Sequence, residues 1–381
     1  MPRTARRTIP RRGYVMLLVG ILIGASIFAL INLLFPSTTG GTGHSGVPDR
    51  IEFEFLYTSE KQSWIQEMTP EFEGWFKNRF GIDVRVRLTV MGSHQTVDEI
   101  IRGSKPVAWS PASSLWIGYL NYKWNETGHS GAIAQDWFPL VISPTVLCTW
   151  ESFARRYDVK GFSDLYRLAK EGKDFKFGHP DPQLSNGGVT TLIMMFAEAA
   201  NKSPDNLTVQ DVIRPEVKDF VKTIESKSVY YGSSTGFFGA WAVENGPTAL
   251  DVAGVYENVV LENSYKARSK WNDSLIAIYP SSGVLLNDHP FVILNGDWVD
   301  HWQRFAATQY LLFLLGEKSQ ERAQEHGFRP ANPRVPVDTN VFNEGNGVLS
   351  RLDSLRILRP PSGEVLNYIL SLWVEVRAGG M

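Results

Sequence analysis

Ile51-Glu-Phe-Glu-Phe-Leu-Tyr-Thr58, then Ser59-Glu-Lys61, an apolar-faced run over 62–80, Gly81 and Val84-Arg-Val-Arg-Leu-Thr-Val90 form the stretch that decides the fold. Apolar and charged residues alternate over 51–56, the period of a half-buried strand. Trp64, Met68, Phe72, Trp75 and Phe76 then recur at helical spacing, and Gly81 supplies a helix stop. The order is strand, polar loop, helix, strand, and the same unit returns downstream. A helix near 97–103 precedes the strand Val107-Ala-Trp109, the loop Ser110-Pro-Ala-Ser-Ser114 and a helix from Leu115. The strand 175–178 feeds His179-Pro-Asp-Pro-Gln-Leu-Ser-Asn-Gly-Gly188 and a helix over 189–201. The strand 228–231 feeds Gly232-Ser-Ser-Thr-Gly236 and a helix over 237–245. Segments 140–149, 250–260 and 275–279 read as strands, 162–171 as a helix, and 299–326 as one long amphipathic helix stopped by Gly327. Such alternation predicts an α/β fold with a largely parallel sheet and helices on its faces. There is no internal repeat.

The N-terminus carries a separate message. Arg3, Arg6, Arg7, Arg11 and Arg12 make a basic tail over 1–13 with no acidic residue among them. The run 14–35 is apolar except for Ser26 and Asn32, long enough to span a bilayer as a helix. It exceeds the roughly 7–15 residues of a signal-peptide core and no small-residue cleavage pattern follows it. It therefore reads as a retained transmembrane anchor with the arginines in the cytoplasm. The bulk of the chain then lies on the extracellular or periplasmic side, held off the membrane by a Gly/Ser/Thr linker over 36–48.

Composition narrows the function. A formal net charge of −2 removes the electrostatic basis for nucleic-acid binding. The one cysteine, Cys148, sits in an apolar segment; it excludes an intramolecular disulfide framework and reads as core. Twelve tryptophans supply material for a large core, and the roughly 330 residues beyond the apolar run suit two domains better than one. Asn125, Asn201, Asn206 and Asn272 open glycosylation sequons, a short motif that carries little weight alone.

The chemistry gathers at strand-to-helix junctions. Thr58-Ser59, Ser110 to Ser114, Ser185 to Gly188 and Ser233 to Thr235 each place hydroxyls, an amide or glycines where a strand ends and a helix begins. Helix N-termini carry unpaired N–H groups and partial positive charge, and ligands of open α/β sheets sit outside the carboxyl ends of the strands. Any one of these loops is explained by helix capping. The set of four predicts convergence on a small polar or anionic ligand.

These residues resemble a known family. Ile278-Tyr-Pro-Ser-Ser-Gly-Val-Leu-Leu-Asn-Asp-His-Pro290 is similar to the YP-x-x-G-T-L segment of bacterial extracellular solute-binding proteins, with Val284 where the family has Thr. Arg304-Phe-Ala-Ala307, Phe313-Leu-Leu315, Gln320 and Gly327-Phe-Arg-Pro330 resemble its AA…FL…Q…GFRP ending, and Trp109-Ser-Pro-Ala-Ser-Ser-Leu-Trp116 its W-x-P-S-S-x-x-W loop. Thr58 to Lys61 with Trp64 is similar to its first ligand loop, and Tyr231 to Gly236 to its second-lobe loop, so that the resemblance spans about residues 50–335. It implies a two-lobed type II periplasmic-binding-protein fold behind an N-terminal transmembrane helix. Residues 49–145 plus 276–375 would form lobe I and 146–275 lobe II, with chain crossings near 141–149 and 252–279. It further implies a hinged cleft, ligand hydrogen-bonded by Thr58, Ser59, Ser110, Ser113, Ser185, Asn186, Ser234, Thr235 and Tyr256, and delivery to an ABC-type permease in the same membrane. No catalysis, cofactor or metal is expected.

Two other readings stand beside this one. Gly232-Ser-Ser-Thr-Gly236 has the G-x-S-x-G form and strand–helix setting of a serine-hydrolase elbow, with Ser234 as nucleophile and Asp288, His289, His301 and His326 following in order. A surface sensor or interaction protein could use the same fold. Tyr230-Tyr231 reads as strand alternation rather than as iron ligands, and Asp297 to Asp300 as the cap of the next helix rather than as a metal site.

Overall fold

The computed structural model describes residues 46–378. The basic tail 1–13, the expected anchor 14–35 and most of the linker 36–48 lie outside the described residues. Among the described residues no helix is long and apolar enough to cross a membrane.

The first lobe opens with β1 (Arg50–Thr58), α1 (Gln62–Phe80), β2 (Asp83–Met91), α2 (Ser93–Ile101), β3 (Ala108–Ser110), α3 (Leu115–Glu126) and β4 (Trp137–Pro139). The second lobe contains β5 (Val141–Trp150), α4 (Glu151–Tyr157), α5 (Phe162–Lys170), β6 (Phe177–Pro180), α6 (Asn186–Ala200), α7 (Val209–Ile213), α8 (Pro215–Glu225) and β7 (Ser228–Gly232). It continues with α9 (Thr235–Asn245), β8 (Val252–Tyr256), α10 (Glu257–Trp271), β9 (Leu275–Ile278) and β10 (Val284–Asn287). The chain returns to the first lobe for β11 (Pro290–Ile293), α11 (His301–Leu314) and α12 (Glu317–Glu325), and ends with β12 (Arg329–Pro330), β13 (Ile357–Leu358) and α13 (Gly363–Ala378).

The first sheet has the order β2-β1-β3-β11-β4 and the second β13-β10-β5-β8-β6-β7, with β9 and β12 also on β5. The outgoing strands pair in parallel, as predicted: β1 lies on β2 from Arg50↔Asp83 to Thr58↔Met91. The returning strands do not, since β11 runs antiparallel to β3 and β4, and β5 antiparallel to β8, β9, β10 and β12. Both sheets are therefore mixed. The first crossing lies within β5, whose Val141 packs in the first lobe's core while Val146 packs in the second's. The second lies at Asp288–His289, between β10 and β11, and not within 252–279 as the resemblance implied.

Two cores follow from this arrangement. One face of the first sheet packs on α1 and α11, where Phe72, Phe55 and Tyr310 meet and Thr69 shares a 2.6 Å hydrogen bond with the Tyr310 hydroxyl. The opposite face, with Trp109 and Trp116, is continuous with the second lobe's core around α6.

Several expectations are corrected. The segment 250–260 is strand only over Val252–Tyr256; the apolar residues after it form the buried face of α10. The predicted helix 299–326 is two helices, because Gly316 adopts an extended backbone and becomes the N-cap of α12. The block 276–375 does not all join the first lobe: β9 and β10 pair with β5, β13 pairs with β10, and α13 packs on α6, α7 and α8.

Candidate functional site

The sheets bring the four loops to one place. Tyr57 and Ser110 are register partners, so Thr58, Ser59 and Ser110 emerge side by side from the first sheet. Ser185, Ser234 and Tyr256 stand at the N-caps of α6, α9 and α10, all springing from the second sheet. The hydroxyls of Ser185 and Ser234 make no cap bond to their own helices. All nine predicted residues are buried, none more than 8% exposed.

Their hydrogen bonds run across the lobe junction. Ser59 Oγ donates to Ser234 Oγ at 2.7 Å and accepts from the Gly236 N–H at 3.3 Å. Ser185 and Thr235 hydroxyls lie 3.0 Å apart. Asn186 is a hub: its Nδ2 donates to the Tyr256 hydroxyl and to Asn287 Oδ1, both at 2.7 Å, and its Oδ1 accepts from Trp116 Nε1 of the first lobe at 2.9 Å. The loop at Leu184 closes the same seam, its carbonyl accepting from the His94 and Gln95 amides at the start of α2. A Cβ on Gly92 would come within 2.4 Å of that carbonyl oxygen, which is why glycine is needed there. Ser113 is the exception: its hydroxyl accepts only from the nearby Leu115 N–H.

At the centre lies a charged cluster that hydroxyl counting missed. Glu60, Lys61 and His289 are fully or almost fully buried. Lys61 Nζ donates to Thr58 Oγ1 at 2.5 Å and to Glu60 Oε1 at 3.2 Å, and Thr58 in turn donates to Glu60. His289 Nδ1 lies 3.2 Å from both Lys61 Nζ and Glu60 Oε1, so that either tautomer of the neutral ring finds a partner there. Burial and then the adjacent Lys61 charge push His289 down to about 4. Burial alone would raise the Glu60 carboxyl, but Lys61, His289 and Thr58 together overcome it and hold it at about 2. Burial also lowers Lys61, and Glu60 only partly offsets that. Asp288 carries its carboxylate to the Ser114 N–H, 2.7 Å away at the start of α3.

Two buried polar atoms here have no partner: Ser110 Oγ and His289 Nε2. They belong to neighbouring strand ends, linked by the His289 N–H to the Ala112 carbonyl at 3.1 Å. His289 also has φ +39°, an uncommon left-handed backbone for a non-glycine residue. Such strain, on the order of 1 kcal/mol or more, persists where the surroundings over-determine it, here the crossing between lobes. The sequence pointed to His289 only through the resembling YP segment and as a candidate partner of Ser234; neither signals its burial against Glu60 and Lys61.

The hydrolase, iron-ligand and metal readings find no support in the geometry. Ser234 pairs with Ser59 and has no imidazole within hydrogen-bond distance. His289 is engaged with Lys61, His326 with Ser63 and Glu67, and His301 is exposed at the start of α11. Tyr230 stacks on Trp241 with centroids 4.0 Å apart, and the Tyr231 hydroxyl donates to Glu225. Asp300 forms a capping box with Gln303, as read from the sequence. Among the described residues no group of three or more His, Cys, Asp or Glu is placed to hold a metal ion.

Solved structures share this architecture. The sulfate-binding protein SubI from Mycobacterium tuberculosis H37Rv superposes with a TM-score of 0.58 at 15% identity, covering 86% of this chain and 98% of that one. A periplasmic thiamin binding protein gives 0.60 at 11% identity, covering 88% and 99%. A putative spermidine/putrescine ABC transporter protein from Listeria monocytogenes gives 0.58 at 13%, covering 86% and 98%. At these identities the likeness is one of fold. No curated protein matches the chain. The sequence itself matches the family described as bacterial extracellular solute-binding protein over residues 55–329. A two-lobed α/β fold with strand-end loops meeting at the lobe junction is thus joined to a match over most of the chain, which belongs to the bacterial extracellular solute-binding protein family.

Proposed function

We propose that this protein captures a small polar or anionic ligand between its lobes and presents it to an ABC-type permease, held at the outer membrane surface by the helix expected over 14–35. The observation that carries the reading is the pair of unpartnered buried atoms, Ser110 Oγ and His289 Nε2, at the seam where hydroxyls from both lobes meet. Unmade hydrogen bonds in a buried site are costly, about 1–3 kcal/mol each, and a ligand that satisfies them recovers that cost. An oxyanion suits a site built of hydroxyls and helix N-termini. The similar proteins are named for sulfate, thiamin and spermidine/putrescine, so the fold itself favours no one ligand class. The permease is inferred from the family and from the ABC transporter after which one of these proteins is named.

The test is thermal unfolding of the detergent-solubilised full chain against monovalent and divalent oxyanions, sugars, amino acids, polyamines and short peptides. A ligand at a hundred times its dissociation constant adds about 2.7 kcal/mol of stability, a shift of several degrees. A shift confined to one class names the substrate class. No shift with any of them overturns ligand capture as the function.

A further inference from the structure

The cluster beneath the seam narrows the ligand further, on the assumption that the junction captures a ligand at all. The buried charges already balance: Lys61 is positive, Glu60 negative, and His289 neutral. An anion placed against His289 Nε2 and the Ser110 hydroxyl would add one uncompensated negative charge to a buried site. The geometry offers a specific remedy. Glu60 Oε1 lies 3.2 Å from His289 Nδ1, on the same side as Lys61. Once the ring has taken a proton from solvent it would donate from Nδ1 to that carboxylate and from Nε2 to the anion, while Lys61 keeps Thr58 and Glu60 as acceptors.

We infer that the junction takes up a singly charged oxyanion together with one proton, the anion on His289 Nε2 and the Ser110 hydroxyl, the proton on the His289 ring. The site then holds two positive charges, Lys61 and His289, against two negative ones, Glu60 and the anion. A doubly charged anion would leave one negative charge in excess, which a buried site tolerates poorly.

The other groups around His289 leave this balance intact. Tyr256, from β8, presents its ring edge-on at 5.8 Å, and its hydroxyl is held by Asn186. Phe328 closes the opposite side at 5.2 Å. Arg329, next to it, is paired with Glu257 at 2.7 Å. Asp288 faces the N-terminus of α3, whose partial positive charge and Ser114 N–H offset it. No second cation therefore stands beside Nε2 to take the place of the proton.

The experiment is calorimetric titration of the solubilised full chain with nitrate and with formate between pH 5.5 and 8, in two buffers of different ionisation enthalpy, with sulfate and glucose alongside. Nitrate or formate should bind with uptake of up to one proton. Affinity should fall by up to tenfold per pH unit over the range where the free imidazole is neutral and the bound one protonated. Sulfate should bind more weakly than either. His289→Gln keeps an N–H donor but cannot titrate, and should bind with a flat pH profile; if it fails to fold, the proton count on the unaltered protein decides alone. Binding of nitrate or formate without proton uptake, an unchanged pH slope in His289→Gln, or preference for sulfate or glucose overturns the proton-linked site and leaves ligand capture standing. No binding by any probe here or in the thermal panel overturns both.

Discussion

Two histidines, His179 and His289, are each completely buried, yet one is charged and the other neutral. His179 sits in the second lobe with Nδ1 2.7 Å from the Pro180 carbonyl and Nε2 2.9 Å from Glu225 Oε1. Both neighbours only accept hydrogen bonds, so the ring donates from both nitrogens and is an imidazolium. Burial alone would lower its pKa, but the Glu225 charge and hydrogen bond outweigh burial and raise it. Glu225 also accepts from Tyr231 and from Trp373 of α13, leaving no loose valence. His289 meets a cation instead, stays neutral, and keeps one nitrogen free. Depth of burial thus decides neither charge nor role; the signs of the adjacent groups do. The satisfied histidine ties helices together, and the unsatisfied one leaves room for something else.

The largest expected effect breaks the satisfied side. Glu225→Ala strands a buried imidazolium and removes the acceptor of Tyr231 and Trp373, and should cost about 3–5 kcal/mol in a denaturant titration. A loss below about 1 kcal/mol would mean that His179 is neutral and the contrast false. Next, Gly92→Ala drives a methyl group into the Leu184 carbonyl across the seam. It should prevent full closure, enlarge the radius of gyration of the liganded protein in solution scattering, and weaken binding by about 1–3 kcal/mol while each lobe stays folded. Ser110→Ala combined with Ser234→Ala should cost about 1–2 kcal/mol of affinity for whichever probe binds, with the unfolding midpoint little changed. Unchanged affinity would remove these hydroxyls from the site.

The smallest effects concern pH, and their signs oppose. His289 is lowered to about 4 in the folded state, so the unfolded chain gains its proton first. Stability attributable to it falls as pH drops from about 6.5 towards 4, by up to about 1.4 kcal/mol per unit. Below about 4.5 the lowered carboxyls of Glu60 and Glu225 add to the loss. His179 is raised, so its contribution is complete below about 6.5 and disappears as pH rises through its folded value. Unfolding curves of His289→Gln should flatten the acidic limb only, and those of His179→Gln the alkaline limb only. The same limb altered in both variants would erase the distinction.

Much of the architecture was legible because alternation in 51–56 and helical spacing in 62–80 are local signals, and they match β1 and α1 closely. The hydroxyl loops were legible for the same reason: each is bounded by a strand and a helix of recognisable period. What was not legible depends on distant contacts. Val259 and Val260 follow β8 after only Glu257 and Asn258, and packing decides that they lie on α10 rather than in β8. The amphipathic pattern of 299–326 passes through Gly316 without a break, although the chain turns there. Glu60 and Lys61 look like an ordinary polar loop end until His289, more than two hundred residues away, buries against them. The placement of α13 rests on Trp373 meeting Glu225 and Arg377 meeting Asp181, pairs that no short window contains.

That last placement makes the molecule its own optical ruler. Asp49 leads into β1 of the first lobe, while Glu375 rides on α13 with the second, and both side chains are exposed. Fluorophores attached at Asp49→Cys and Glu375→Cys would report on different lobes, so that a ligand-driven change in the distance between them would appear as a change in energy transfer. The native thiol would not interfere: Cys148 is buried and pushed up to about 12 by that burial, leaving it silent to maleimide dyes. Single molecules would then test the proposed closure directly, one photon trace at a time.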